Sequence, residues 1–555
     1  LNPNLSGKKQ GSNILKIGAF LKSLKHRQKL VASVSIGLLA IVLFSHVNRF
    51  VKNQEPDFLT FNELKKLSQN PHPGWWLEKK LAGFWRTPII SNEAYYRGVK
   101  PYHPKDPKLG PYLRLVSWNI EKSYRMADAI KAFSSKDAFE KLIDDLKAPP
   151  GSERRETILR QRERLGNADV ILLQEMDIGV KRSGYINAAG ELAKALQMNY
   201  AFAPEQLEID PVLLGLEKIN YENGTVDQAA TDHYAVDPQK YKGAFGCAVL
   251  SRYPIKKVQA WQLKNQAYDW GASEREKFGF FEEVRRAGAE WVFRNQITRE
   301  IKAGGRIYFR VDLEVPGIPE NTLTIINIHF EIKCLPKARE LQMAEVFSYV
   351  KSIRHPVIIA GDFNAAPEDL SATSAKRIAI RTAQNPTAWL SVAVSYFLPQ
   401  ALLINTTRFV YNFTKNIQDP LASDIAVIAP NPLHPLFQMI QNYRFNDGGA
   451  FDFRGDPERS TNGHKGALAN SNERDLKGFK TTFSVKRPLA AIFGKYRLDW
   501  IFVKSFLKEP FNKNGPYRFA PHFGETLEEM NTFLTTPISD HHPNVTDIPF
   551  QEPKI

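Results

Sequence analysis

The side chains best suited to chemistry stand just beyond short apolar runs. Asn119 and Glu121 lie two apart after Leu113-Arg-Leu-Val-Ser-Trp, and Glu175 closes Val170-Ile-Leu-Leu-Gln-Glu. His329 closes Thr324-Ile-Ile-Asn-Ile-His. Asp362 and Asn364 follow Val357-Ile-Ile-Ala-Gly, again two apart and so able to face the same way. Asp499 precedes Trp500-Ile-Phe-Val, and Asp540 and His541 sit in Pro537-Ile-Ser-Asp-His-His-Pro543. Any one of these alone is explained by an Asx turn or a helix cap. Together they are oxygen ligands and imidazoles at the ends of apolar strands, where a rigid sheet builds sites. Carboxylates and amides without cysteine suit Mg²⁺ first, with Mn²⁺ or Ca²⁺ as alternatives. Scattered histidines and the lack of an H-E-x-x-H helix disfavour zinc. Phosphoryl transfer needs this kit: a cation against anionic oxygens, a group to prepare water, and donors for the developing charge. The glycine-rich Lys-Ser/Thr loop of P-loop enzymes and the G-x-S-x-G nucleophile elbow are both missing from the sequence.

The elements that must position these groups alternate between strand and helix. Residues 113–120, 169–173, 247–250, 322–328, 357–360 and 500–503 read as strands, several of them continuous apolar runs of the kind buried on both faces. Residues 306–315 alternate and feed a hairpin through Pro316-Gly317. Helical stretches fall near 125–147, 153–165, 187–197 and 336–353; in the last, Met343, Val346, Phe347 and Val350 share one face. The pattern is layered α/β. Two intervals exceed what a compact core needs, one at about 370–480 and one at roughly 258–305. The first contains 26 residues, 382–407, without a charged side chain. Its length suits a membrane span, but a single crossing would separate motifs that have to share one site. A buried helix pair is the leading reading there and a surface-dipping lid the functional alternative.

The ordered series Trp118-Asn-Ile-Glu121, Leu173-Gln-Glu175, Gly246-Cys-Ala-Val-Leu-Ser-Arg-Tyr-Pro254, Asn327-Ile-His329, Gly361-Asp-Phe-Asn364, Arg497-Leu-Asp-Trp-Ile-Phe502 and Ser539-Asp-His-His-Pro543 resembles the endonuclease/exonuclease/phosphatase superfamily of DNase I-like, metal-dependent phosphoesterases. The resemblance implies a four-layer α/β sandwich, two facing mixed β-sheets flanked by helices, with the site at one end. By the same resemblance Glu175 is the principal metal carboxylate, Asn119 and Glu121 support the metal, and Asp540 is a second metal-side carboxylate. His329 matches the histidine at the scissile phosphate, Asp362 the residue that orients water, and Asn364 an amide holding water or phosphate. His541 matches the terminal catalytic histidine, with Asp499 orienting it. Arg182, in Lys181-Arg-Ser-Gly184, either meets a substrate phosphate or forms a solvated charge pair; His542 serves loop packing. Cys247 and Cys334 take no part in this chemistry.

Apolar residues at 43% and charged residues at 24% provide for a large core and exclude wholesale disorder, and two cysteines exclude a disulfide scaffold. The net charge of +16 is concentrated at one end: residues 1–52 hold nine Lys or Arg and no acid, which leaves +7 for the rest. Leu30 to Asn48 form 19 residues without charge, about 28 Å as a helix, preceded by seven positive charges. A cleaved signal peptide and a soluble helix are the competing readings; no small-x-small site follows Phe44. The expected organisation is a basic tail and single-pass membrane anchor over 1–52, a connecting region over 53–110, and a catalytic domain over 111–550. Positive-inside bias puts the N-terminus in the cytoplasm and the catalytic domain on the extracytoplasmic side. Within the connecting region, Pro71 to Trp85 suits either a membrane surface or a short amphipathic helix packed on the main domain. The expected function is a membrane-tethered, divalent-metal-dependent phosphoesterase acting on phosphodiesters, with nucleic acid and phospholipid both open as substrates. A sphingomyelinase-like headgroup hydrolase is the alternative; a monoesterase or an inactive binding module ranks lower. No obligate protein partner is evident in the sequence.

Overall fold

The computed structural model describes residues 50–101, 105–107, 109–216, 235–275, 300–365, 424–426, 429–452, 471–475, 478–484, 495–505, 519 and 523–551. The chain divides into units Leu1–Lys52 and Asn53–Ile555, and the architecture below is that of the second. The expected anchor at 30–48 and the uncharged run at 382–407 lie outside the described residues. Among the described residues, no helix is long and apolar enough to cross a membrane.

Two mixed sheets form the body. The first contains β1 (Ile89–Ser91), β2 (Lys105–Asp106), β3 (Gly110–Asn119), β4 (Val170–Ile178), β5 (Asn199–Glu208), β6 (Ala244–Ser251), β8 (Lys302–Gly304), β13 (Phe523–Thr526) and β14 (Asn544–Pro549). Its main path runs β1-β5-β6-β4-β3-β14-β13, with β2 beside β3 and β8 beside β5. The second contains β7 (Ile255–Gln262), β9 (Ile307–Glu314), β10 (Thr322–His329), β11 (Val357–Asp362) and β12 (Asp499–Lys504), in the order β12-β11-β10-β9-β7. β3 and β4 are parallel, as are β10 and β11. Each of these four strands is buried along all or most of its length, because one face meets helices and the other meets the opposite sheet.

Helices cover both outer faces. α1 (Phe61–Gln69) starts at a capping box in which the Thr60 hydroxyl accepts from the Glu63 N–H and the Glu63 carboxylate accepts from the Thr60 N–H. α2 (Trp75–Arg86) buries Leu77 and Phe84. α3 (Met126–Ser134), α4 (Glu153–Gly166) and α5 (Ala188–Leu196) share a core with the outer face of the first sheet, including Phe133, Ile158, Leu192, Val116 and Ile171. The helix expected across 125–147 breaks at Ser135, whose extended backbone and side chain cap a second short helix, Lys136–Glu140. α6 (Pro336–Val350) lays Met343, Val346, Phe347 and Val350 on the second sheet. Beside it lies α7 (His434–Asn442), which comes from the expected insertion; its Phe437 ring is 4.9 Å from Trp500. Part of that insertion is therefore core. The result is a two-sheet α/β sandwich with flanking helices.

The sheets are pinned together by polar contacts. Asn327 of β10 donates to the carbonyls of Leu173 (3.0 Å) and Ala248 (2.9 Å) and accepts from Gln174 Nε2 (2.7 Å), all in the first sheet. Gly361 allows β11 to approach β10: a Cβ there would stand 2.0 Å from the Ile328 carbonyl oxygen, at φ +137°.

Candidate active site

Strand register gathers the candidate groups at one end of the sandwich. His329 is the partner of Asp362 across the parallel β10–β11 ladder, and Asp362 is the partner of Asp499 across β11–β12. In the first sheet, Asn119 ends β3 opposite Gln174, the residue before Glu175. A bulge between Leu173 and Met176 puts Glu175 in the left-handed region at φ 59°.

Asn119 joins the two sheets at the site, its Nδ2 donating to Glu175 Oε1 (3.2 Å) and to Asp362 Oδ2 (3.0 Å). The second Glu175 oxygen accepts from the Lys122 N–H at 3.0 Å. Glu121 Oε2 accepts from the Asp540 N–H at 3.0 Å, which ties the first motif to the last. Ser539 Oγ donates to the Asn119 carbonyl at 2.7 Å across 420 residues. Burial opposes ionisation of Glu175, but the fields of His329, Lys122 and His541 and the Asn119 hydrogen bond outweigh it and hold the carboxyl below its usual range.

His541 donates through Nδ1 to Asp499 Oδ2 at 2.9 Å, and its Nε2 lies 3.9 Å from Asp362 Oδ2. Burial disfavours a charged ring here. Asp499, with help from Asp362 and Asp540, overrides it and lifts the imidazole well above its ordinary pKa. His329 Nε2 lies 3.8 Å from Glu175 Oε1 and 4.0 Å from Asp362 Oδ2. Burial pushes the Asp362 carboxyl up, against the pull of His541 and with the push of Asp499. Asn364, at φ 46°, turns its Nδ2 to the Phe330 carbonyl (2.9 Å) and gives its backbone N–H to Asp362 Oδ1 (2.7 Å), so it braces Asp362.

Sequence reasoning missed the groups behind His329. Glu205 Oε2 lies 2.9 Å and Arg306 Nη1 2.8 Å from its Nδ1, and the two are themselves 3.0 Å apart. The Cys247 thiol donates a hydrogen bond to Glu205 at 3.3 Å, and burial with that carboxylate pushes the thiol pKa well up. Also missed were Phe483, whose ring centroid is 5.1 Å from His541, and Ser484, whose N–H donates to the Asp540 carbonyl at 3.1 Å. Arg182, which had two readings, meets Asp177 (2.6 and 2.8 Å) and Glu208 (2.6 and 2.8 Å) in paired contacts, with 16% of its side chain exposed. It is a nearly buried ion-pair hub. His542 N–H donates to the Thr482 carbonyl, and its ring faces Asn531 and Ser484.

Two trios of ligand-type side chains have their ligand atoms within 4.8 Å of one another: Asp362, Asp499 and His541; and Glu205, Cys247 and His329. Both are suitable by residue type for a divalent metal. In the second, Arg306 already supplies positive charge and the thiol holds its proton. The first adjoins Asn119, Glu175, Glu121 and Asp540 through the bonds above, and Asp499 Oδ1 is buried with no hydrogen-bond partner among the described residues. An oxygen-rich set with an ionised Glu175 fits a hard cation.

Over residues 116–541 the sequence matches the Endonuclease/Exonuclease/phosphatase family. The chain belongs to that family and is a metal-dependent phosphoesterase. It matches no curated protein in sequence. Among solved structures it is similar to an endonuclease/exonuclease/phosphatase from Beutenbergia cavernae (15% identity, 79% of this chain and 72% of that one, TM-score 0.33). It is also similar to the human Nocturnin catalytic domain with bound sulfate (12%, 79% and 94%, 0.31). A third is a 3′ phosphatase, NExo, from Neisseria bound to a product DNA hairpin (11%, 79% and 99%, 0.35).

Proposed function

We propose that this chain is a membrane-tethered phosphodiesterase that uses Mg²⁺ and hydrolyses its substrate by in-line attack of water. The observation that carries the reading is Asn119 bridging Glu175 and Asp362, with both site imidazoles within about 4 Å of those carboxylates. Glu175, Asp540, Glu121 and Asn119 would hold the cation, which would supply Lewis-acid polarisation of the phosphoryl group. Asp362 orients the water and takes its proton as the new O–P bond forms. The His541 imidazolium, held by Asp499, donates to the phosphoryl oxygens that gain charge. His329 supports the leaving oxygen as its bond to phosphorus breaks. Residues 30–48 tether the enzyme, with the N-terminus cytoplasmic and the catalytic body on the other side.

The test is hydrolysis by the purified protein of plasmid DNA, RNA, sphingomyelin and phosphoinositides, with Mg²⁺, Mn²⁺, Ca²⁺ or chelator. Turnover of at least one phosphodiester that requires a divalent ion is expected, and Asp540→Asn should lower it by about 10²-fold or more. Equal turnover by that variant would reject the role given to Asp540. Turnover confined to sphingomyelin would make the enzyme a headgroup hydrolase.

A further inference from the structure

The helix α2 has an unusual exposed end. Trp75 and Trp76 are adjacent and 73% and 60% exposed, although α2 buries the next residue, Leu77, and Phe84 two turns further on. Exposed tryptophans occur singly on many proteins; two side by side form an apolar patch with N–H donors at its rim. Lys79 lies over the Trp75 ring at 5.1 Å and Lys80 over the Trp76 ring at 5.8 Å. Along the helix Trp75, Lys79 and Arg86 recur at i, i+4 and i+11, on one exposed stripe. The acids nearby are Glu78 on the same helix and Asp57 and Glu63, which pair with Lys80 at 3.4 and 3.0 Å. Lys79 and Arg86 therefore leave the stripe basic.

The chain upstream leads directly to this patch. Asp57 meets Lys80, and the Phe58 ring packs 5.7 Å from Phe84. Asp57 is nine positions on from Asn48, the last residue of the uncharged run, a distance of at most ~32 Å when extended.

We infer that α2 is a bilayer-contacting surface, with Trp75 and Trp76 seated at the headgroup level of a leaflet that carries anionic lipid and Lys79 and Arg86 meeting its phosphates. Tryptophan favours this depth because its ring is apolar and its N–H is wet, and basic side chains add attraction to anionic headgroups. The short leash makes encounter with the leaflet effectively intramolecular, so a weak patch suffices. This orients the body on the membrane, a step beyond the tether proposed above on which it rests.

Single-cysteine labelling of the full chain tests it. Cys247 and Cys334 are buried, so a cysteine introduced at Trp75→Cys or Trp76→Cys takes an environment-sensitive dye selectively. The exposed Leu146→Cys, at 94% exposure, is the control. The proteins are reconstituted into phosphatidylcholine vesicles with and without phosphatidylserine, and flotation is measured in the same samples. The expected result is a blue shift and about twofold or greater quenching by headgroup-proximal nitroxide lipid at positions 75 and 76, stronger with phosphatidylserine and absent at 146. Flotation without a shift at 75 or 76 overturns the surface while leaving the tether standing. No flotation overturns the tether and, with it, this inference. A shift that depends on protein concentration in lipid-free detergent assigns the patch to a second copy of the chain and overturns the lipid reading.

Discussion

At His329 two groups claim one ring nitrogen. Glu205 approaches Nδ1 as an acceptor and Arg306 approaches it as a donor, both within 2.9 Å. Arg306 is buried, and Glu331 and Glu205 raise its pKa against the burial that opposes its charge. It neutralises two carboxylates behind the ring and so decides how strongly either pulls on the imidazole proton. Arg306→Met should lower kcat by about 10-fold or more with little change in KM. It should also move one limb of the pH–rate profile, a readout that loss of packing alone would leave fixed, and Arg306→Lys should restore part of both. Neither Glu205 nor Arg306 could be picked out from the chain. Glu205 sits in a strand whose alternation is broken by a bulge between Pro204 and Gln206, and a one-residue slip changes which face a side chain takes. Glu175 also sits beside a bulge, but its place after an unbroken apolar run made it visible. Arg182 shows the reverse limit: its charge was legible, while its partners Asp177 and Glu208 are set by strands β4 and β5 lying near each other.

At the scale of elements, apolar runs marked β3, β4, β6, β10, β11 and β12, since burial on both faces demands a continuous run, whereas β5 and β14, also inside the first sheet, were not read as strands. Their order in the sheets was not legible. The runs of β11 and β12 are equivalent in sequence, and nothing local says that they pair across more than 130 intervening residues. Asn327 is the polar exception within such a run, and the three hydrogen bonds it makes hold the sheets in register. Asn327→Leu should destabilise the fold by about 2–4 kcal/mol in urea titration, because it strands buried partners as well as losing its own bonds. A second test concerns Asp169, which accepts from the Arg114 N–H at 2.9 Å at the start of β4. Burial raises its pKa to about 7, above its unfolded value. A group raised in this way contributes stability below its unfolded pKa, and that contribution is lost as pH rises through the folded pKa. Asp169→Asn should therefore gain stability relative to the parent as pH rises from 4 to 8, seen as diverging melting temperatures. Parallel curves would reject the raised pKa.

For the whole molecule, a cation that binds only the folded site stabilises it by mass action. Mg²⁺ should raise the melting temperature by a few degrees, chelator should reverse this, and Asp540→Asn should blunt it. Alkaline carbonate should leave the full chain in the membrane pellet; release of intact protein would count against a span. The position of β14 bears on when such an enzyme becomes active. It lies between β3 and β13 in the first sheet, and the loop just before it carries Asp540 and His541. A nascent polypeptide that has already displayed Asn119 and Glu175 has β4 beside β3, but the antiparallel neighbour β14 is complete only at Pro549, some 430 residues after Asn119. Asp540 and His541 thus join Asn119 and Glu175 only once the last strand of the described fold has been made, so a chain cut short before Asp540 would keep most strands of both sheets and hydrolyse no phosphoester.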